Sequence, residues 1–116
     1  MYNSEEGIKG EIAAQKYLID LGWKIVATNA NFHLVGEIDI VAYDGQTLVF
    51  VEVRTRSDNR YGHPFETVTK AKQRKIVAAS RRFIMENKPK CQFFRYDVIA
   101  VLHGKIEHLR NAFEAC

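Results

Sequence analysis

Residues 36–54 read GEIDIVAYDGQTLVFVEVR, and this stretch decides the fold. Its two apolar runs predict two β-strands, Gly36–Tyr43 and Gln46–Thr55. Between them stands Asp44-Gly45, a pair suited to the positive φ angles of a tight hairpin turn. The second run is apolar on both of its sides, so we expect a sheet that is covered on both faces.

The rest of the chain supplies the cover for such a sheet. Capping residues, apolar spacing and Gly or Pro stops predict a helix over 4–21, a strand over 23–28, a loop over 29–35, a helix over 65–87, a strand over 93–102 and a short strand over 105–109. This order of helix, three-strand meander, helix, strand and short strand predicts an α/β sandwich with a mixed central sheet. We expect residues 1–116 to form one domain.

Composition narrows the class of protein. The chain has 116 residues, of which 47% are hydrophobic and 27% charged. These values exclude a disordered chain, and no apolar run reaches the roughly 18 residues of a membrane span, so no membrane partner is expected. The cysteines, Cys91 and Cys116, are too few for a disulfide framework or a zinc set. A cytoplasmic location is predicted, since the polar, acidic N-terminus is unlike a secretory signal.

The net charge of +3 conceals a segregation along the chain. Residues 54–90 contain 11 basic and 3 acidic residues, whereas the remainder contains 6 basic and 11 acidic ones. Lysine and arginine release condensed counterions when they bind phosphates, so the basic segment predicts a nucleic-acid partner. The alternative is that these charges only solvate one long helix.

The predicted hairpin register brings charged residues together. A two-residue turn at Asp44-Gly45 sets that register. In it Glu37 lies opposite Glu52, and Asp39 lies diagonal to Glu52. Because side chains alternate along a strand, these three carboxylates and Arg54 are expected to point to the same face.

Three carboxylates on one face of a sheet call for a cation. Like charges across neighbouring strands are destabilising unless something offsets them. Carboxylate oxygens suit hard divalent ions, so the pattern predicts a site for Mg²⁺ or Mn²⁺. The alternative is a solvated sheet end at which the acids pair with Arg54 or Arg56. The position of the acids among Val and Ile residues favours the metal.

Two motifs carry a resemblance to a known family. GEIDIV at 36–41 and VFVEVR at 49–54 resemble the signature of the YraN family, small predicted endonucleases of the restriction-endonuclease-like, PD-(D/E)xK superfamily that are related to archaeal Holliday junction resolvases. The likeness continues through GE at 10–11, KQ at 72–73, RYDVI at 95–99 and NAF at 111–113. It implies a restriction-endonuclease-like α/β/α sandwich.

The resemblance also implies roles for individual residues. Asp39 and Glu52 would be the metal-binding acids, and the backbone carbonyl of Val53 an additional ligand. Glu11 matches an acid that reaches the same site from the first helix. Glu37 matches the family motif, and whether it contacts the metal or a neighbouring base stays open. Such a site hydrolyses a phosphodiester with metal-activated water.

The position that usually holds Lys in the superfamily holds Arg54 here. Arginine can clamp a phosphate, but it stays charged and cannot act as a base. Lys72 lies at the centre of the apolar stripe of the second predicted helix, and one hypothesis is that it supplies the missing ammonium over the carboxylates, with Gln73 beside it. The alternative is that Lys72 extends outward into solvent.

A further set of residues is predicted to contact nucleic acid. Its members follow the third strand or lie on the second helix: Arg56, Arg60, Tyr61, His63, Gln73, Arg74 and Lys75. Tyr61 and His63 could stack on an unpaired base. The alternative for these two is an ordinary loop position.

The sequence as a whole predicts a metal-dependent endonuclease that acts on DNA, with branched and single-stranded DNA as candidate substrates. One alternative is a nucleic-acid-binding module that keeps the nuclease fold but cleaves weakly or not at all, because Arg54 replaces the usual Lys. Another is a protein whose basic helix binds an acidic partner. The resemblance to resolvases, which often pair as dimers, makes a homodimer a candidate arrangement.

Overall fold

A computed structural model of the chain describes residues 5–57 and 62–115. Its elements are helix α1 (Glu5–Asp20), strands β1 (Lys24–Phe32), β2 (Gly36–Asp44) and β3 (Thr47–Arg56), a 3₁₀ turn (Pro64–Thr67), helix α2 (Lys70–Asn87), and strands β4 (Phe93–Leu102) and β5 (Lys105–Phe113). The described helices are not of the length and apolarity needed to cross a membrane.

The five strands form one sheet in the order β1-β2-β3-β4-β5. β3 and β4 run parallel, and the other neighbouring pairs run antiparallel. The predicted α/β fold, with its three-strand meander and mixed central sheet, is therefore confirmed. The parallel pair is possible because α2 lies in the crossover between its two strands.

Each face of the sheet buries its own core. Phe50 lies in the core that contains α2, where it packs against Phe83 of that helix. Val49 and Val51 lie in the core on the other face, together with Leu18 of α1. All three of these β3 side chains are fully buried, as expected of a strand that is apolar on both sides.

A close approach sets the position of α1. A Cβ atom added at Gly10 would overlap the side chain of Thr55 on β3, so only glycine lets the helix backbone come this near the sheet. The next residue is Glu11. The contact therefore brings an acidic side chain to the end of β3 that holds its charged residues.

The predicted hairpin register is wrong by two residues on the second strand, since Tyr43 pairs with Leu48 and not with Gln46. Asp44 pairs with Thr47, so Gly45 and Gln46 form the turn, and Gly45 takes the positive φ of 60°. Asp44 stays in the strand, where its carboxylate binds Arg95 at 3.1 Å. This ion pair is a long-range contact that local turn preferences do not contain.

The shifted register changes which acids face each other. The last pair of the β2–β3 ladder is Ile40 with Val51. The next residues outward are Asp39 and Glu52. Asp39, and not Glu37, is thus the neighbour of Glu52. The alternation of faces along β2 is interrupted at Asp39, because Ile38 and Ile40 belong to the cores on opposite faces of the sheet.

Three element boundaries also differ from expectation. β1 continues to Phe32 through the residues that were predicted as a loop, and β5 continues to Phe113. α2 begins at Lys70, because Thr69 caps it by accepting the backbone N–H of Lys72 at 3.1 Å. The residues before it form the separate 3₁₀ turn.

A buried polar cluster joins β4, β5 and α1. Asp97 is fully buried and accepts hydrogen bonds from Arg95 Nε at 2.9 Å and from the backbone N–H of Asn111 at 3.0 Å. His108 Nε2 lies 2.8 Å from the same carboxylate, and its Nδ1 lies 3.0 Å from the hydroxyl of Tyr17. These bonds hold the pKa of Asp97 below its ordinary value against the opposing effect of burial.

Candidate active site

The candidate site lies at the end of the sheet where the β2–β3 ladder stops. Just beyond the last paired residues, Asp39 Oδ2 accepts the backbone N–H of Val53 at 2.8 Å. A side chain thus takes the place of a backbone partner at the end of the ladder. This bond fixes the Asp39 carboxylate against β3, next to Glu52.

Glu52 is the buried acid of the site, with 5% of its surface exposed. Two cations approach the same oxygen, Oε2: Arg54 Nη2 at 3.1 Å and Lys72 Nζ at 3.8 Å. The structure therefore directs Lys72 toward the carboxylates, although its side chain keeps 34% of its exposure. Among the described residues, the buried Nε of Arg54 makes no hydrogen bond.

Glu11 reaches the site from α1. With its nitrogen turned toward the helix, the Asn29 amide donates to Glu11 Oε1 at 3.2 Å and to Oε2 at 3.3 Å. Asn29 stands between the β1–β2 pairs of its two neighbours, level with Asp39, and has a φ of 50°. It is thus a site residue that the sequence analysis missed, since residue 29 was predicted to lie in a loop. The only local indication was the tolerance of Asn for a left-handed backbone.

Burial and crowding shift the acids toward their neutral forms. Burial raises the pKa of Glu52 to about 8, with a further contribution from the Asp39 charge that Arg54 and Lys72 partly offset. Burial also raises the pKa of Glu11 to about 7, again assisted by Asp39, whose carboxyl lies within hydrogen-bonding reach. The pKa of Glu37 is raised by burial and by Asp39. Several acids therefore share more negative charge than two cations neutralise.

This donor set suits a hard divalent ion that keeps part of its water shell. In residues 5–57 and 62–115, no three His, Cys, Asp or Glu side chains are grouped so that they could hold a metal ion. Mg²⁺ does not need three such side chains, because it is held by one or two carboxylates plus waters and substrate phosphates. Asp39 and Glu52 would supply the carboxylates, and the carbonyl of Val53 a third protein oxygen.

The residues predicted to contact nucleic acid differ in the contacts that their side chains make. Arg60 and Tyr61 lie outside the described residues. Both ring nitrogens of His63 are engaged: Nδ1 accepts the backbone N–H of Phe65 at 3.1 Å, and Nε2 lies 2.8 Å from Glu107 Oε2. A stacking contact would therefore use only the ring face of His63.

The remaining members of that set are either hydrogen-bonded to the backbone or exposed to solvent. The Arg56 guanidinium donates to the carbonyl of Thr55 at 2.8 Å, and the Gln73 amide donates to the carbonyl of Val68 at 3.1 Å. Arg74 and Lys75 are exposed on α2. The backbone of Lys75 packs against Gly36, where an added Cβ would lie 3.0 Å from its carbonyl oxygen.

Comparison with known proteins agrees with the resemblance seen in the motifs. The sequence profile of the uncharacterised protein family UPF0102 matches residues 10–101, which include every acid of the site. The chain belongs to the UPF0102 family. This is the family that the motifs resemble under the name YraN.

Members of UPF0102 match the chain along most of its length. A UPF0102 protein of Chromohalobacter salexigens is 43% identical over 113 residues, which cover 94% of this chain and 90% of the relative. One from Chlorobium limicola is also 43% identical, over 90% of this chain and 80% of the relative. One from Persephonella marina is 35% identical over 98% of this chain and 97% of the relative.

Proposed function

We propose that this UPF0102 protein is a metal-dependent endonuclease of the restriction-endonuclease-like superfamily that hydrolyses phosphodiester bonds in DNA. One observation carries the proposal: Asp39 and Glu52 converge at the end of the sheet, with Arg54 and Lys72 against them. Carboxylates for a divalent ion beside cations for a phosphate are what phosphodiester hydrolysis requires.

Each residue of the site has its own role in this proposal. Asp39, Glu52 and the Val53 carbonyl would hold Mg²⁺ or Mn²⁺, which activates a water molecule and stabilises developing negative charge when bound. Arg54 presents a planar fork to a phosphate. Lys72 adds a mobile ammonium that can move from Glu52 to the substrate, since its 3.8 Å contact is loose. Glu11 and Glu37 add further carboxylates beside these ligands.

The first experiment is a cleavage assay with Mg²⁺ or Mn²⁺ on duplex, flapped, four-way and single-stranded DNA. Asp39→Asn removes a ligand charge while keeping the shape of the side chain, and we expect it to slow cleavage by about 100-fold or more. Asp20→Asn, on the exposed end of α1, is the matched control. Absence of cleavage on every substrate, or equal rates for Asp39→Asn and the parent, would overturn the proposal.

A second candidate function is a DNA-binding module with weak or no catalysis. The observation that favours it is Arg54, because its guanidinium is engaged with Glu52 at 3.1 Å and cannot accept a proton. This function predicts salt-dependent binding without turnover, with an affinity that is little changed or improved when Asp39 is neutralised. Arg54→Lys separates the two candidates, since a gain in cleavage means that the rest of the site is competent.

The same proposal includes the partner, the location and the oligomeric state of the protein. DNA is the proposed partner, with branched and single-stranded forms as candidates, in the cytoplasm. A homodimer is the candidate arrangement for cutting two strands, because one such site cuts one strand at a time. Sedimentation of the protein with and without a four-way junction tests this directly.

A further inference from the structure

A groove of about 620 Å³ lies between α2 and the C-terminal end of β5. It exists because α2 packs chiefly on β2 and β1 and therefore lies beside β5, not over it. Val77 and Ala112 contribute to its apolar lining, together with Phe113. Arg81 Nη2 donates to the carbonyl of Ala115 at 3.2 Å and ties the end of the chain to the helix.

The helical wall of the groove is basic. Lys70, Arg74 and Arg81 line it from one side of α2, whereas Glu114 is the acid that faces them. At 1.5 Å per residue, these three cations span about 16 Å of helix. Within the described part of the chain, Lys70 and Arg74 have no ion-pair partner, so their charges are available to an anion.

The sheet side of the groove offers aromatic surface. Phe113 stacks on Tyr96 with ring centroids 5.1 Å apart, which holds its ring in a fixed orientation. A second cavity of about 410 Å³ continues past Phe113 to Phe94, which is 48% exposed and stacked on Phe50. A row of cations beside aromatic rings is the arrangement by which proteins bind single-stranded nucleic acid.

One end of the groove lies at the first turn of α2, where Lys70 and Gln73 line it. The same turn carries Lys72, whose ammonium lies 3.8 Å from Glu52 and which projects about 200° around the helix from Lys70. A strand lying along the groove would therefore end near the turn of α2 that also reaches the candidate site.

We propose that the groove between α2 and β5 binds a single-stranded segment of nucleic acid, with its phosphates on Lys70, Arg74 and Arg81 and its bases on Phe113 and Phe94. This deepens the proposed nuclease function by naming the form of the substrate. It rests on that function only for its interpretation as substrate binding, because binding of a single strand to the groove does not require cleavage. Unpaired bases are required, because bases inside a duplex are stacked on each other and cannot stack on a side chain.

The test measures binding in EDTA, where no metal-dependent cleavage occurs. The probes are a labelled oligo(dT) strand of roughly 20 nucleotides and a blunt duplex of the same length, titrated by fluorescence anisotropy at several NaCl concentrations. We expect the parent to bind the single strand more tightly. Equal or tighter binding of the duplex would overturn the proposal.

Charge removal gives the sharper result. Lys70→Ala/Arg74→Ala should weaken oligo(dT) binding and reduce the slope of log affinity against log salt by about 1.4, since each phosphate contact on a single strand contributes about 0.7. The matched control is Lys9→Ala/Lys16→Ala, which removes two exposed charges from α1 in the other layer. An equal change of slope in both variants would mean non-specific attraction and would overturn the site.

Removal of an aromatic ring tests the stacking. Phe94→Ala should weaken oligo(dT) binding about tenfold or more at unchanged salt slope, and Phe94→Tyr should restore it. If the groove variants instead dissociate a dimer and leave oligo(dT) binding unchanged, the groove is an interface between copies and the proposal is wrong. Binding without any cleavage would leave the groove standing and overturn the nuclease function alone.

Discussion

Asn29 holds a backbone conformation that most side chains avoid, with φ of 50°, and places its amide against Glu11. Such a conformation persists only when the surroundings impose it. Here the β1–β2 ladder continues on both sides of the residue. We infer that Asn29 orients the acid that α1 contributes to the site.

Two substitutions separate the backbone role of Asn29 from its hydrogen bonds. Asn29→Gly keeps the left-handed backbone and removes the amide, so it should cost little stability but slow cleavage about tenfold. Asn29→Ala adds backbone strain of about 1 kcal/mol. Cleavage assays and urea denaturation measure the two effects. Parental cleavage by Asn29→Gly would show that Glu11 needs no such support.

Asp97 stabilises the fold and is not part of the candidate active site. Its carboxylate is fully buried and is bonded to Arg95, His108 and the backbone of Asn111. Asp97→Ala leaves buried donors without a partner, and we expect it to lower the free energy of unfolding by about 3–5 kcal/mol. Denaturant midpoints measure this, with exposed Asp20→Ala as the control. A loss below about 1 kcal/mol would contradict it.

At the scale of elements, the seating of α1 on β3 determines where Glu11 lies. Gly10→Ala should push the helix from Thr55 and cost about 1–3 kcal/mol, partly offset by the higher helix propensity of Ala. It should also slow cleavage, because Glu11 moves with the helix.

A double substitution controls for effects that do not involve this contact. Thr55→Ala removes the atoms that the new methyl group would meet, apart from Cβ itself. Combined with Gly10→Ala, it should restore part of the stability, with a coupling energy of about 1 kcal/mol or more. Additive costs would mean that the helix is not seated by this contact.

Alternation of side chains predicted much of the site. Asp39, Glu52 and Arg54 come from one hairpin, and period-two geometry alone predicts them on one face. The register of that hairpin depended on Asp44, which a distant arginine holds in the strand. Local preferences at a turn do not contain such a contact, so the pairing of the acids was predicted incorrectly.

The sequence did not predict the full length of strands that bury few of their residues. β5 is an edge strand, and most of its residues are exposed or half-buried, so its C-terminal half has no apolar alternation to detect. Asn111 interrupts it with a φ of 52°. The groove that β5 forms with α2 depends on this extension, and for that reason it could not be predicted from the chain alone.

The free energy of unfolding of the whole protein should depend on pH in a way that reflects the protonation of Glu52. Burial raises the pKa of Glu52 to about 8 in the folded protein, whereas an unfolded Glu has a pKa near 4.5. Unfolding between these values releases a proton, so stability falls as pH rises through this window. We expect a loss on the order of 3 kcal/mol between pH 5 and pH 8.5 in EDTA.

Mg²⁺ or Mn²⁺ should reverse that loss, because it binds the ionised carboxylates of the folded protein. Thermal denaturation across pH, with and without metal, measures both effects. Glu52→Gln should make the metal-free profile less steep, with a smaller slope remaining from Glu11 and Glu37, and should weaken the response to metal. Stability that rises steadily from pH 5 to pH 8.5 in the parent would contradict the assignment.

The parallel pairing of β3 with β4 has a consequence for how the protein folds. Paired residues such as Glu52 and Val98 are 46 positions apart, and the crossover between them carries Lys72. The β2–β3 hairpin is a local structure that can form early, while closing the long crossover costs more entropy and is slower. We therefore expect the acids of the hairpin to be assembled before their ammonium partner arrives. We expect the completed site to appear only with the last step of folding, so that partly folded chains carry no competent centre.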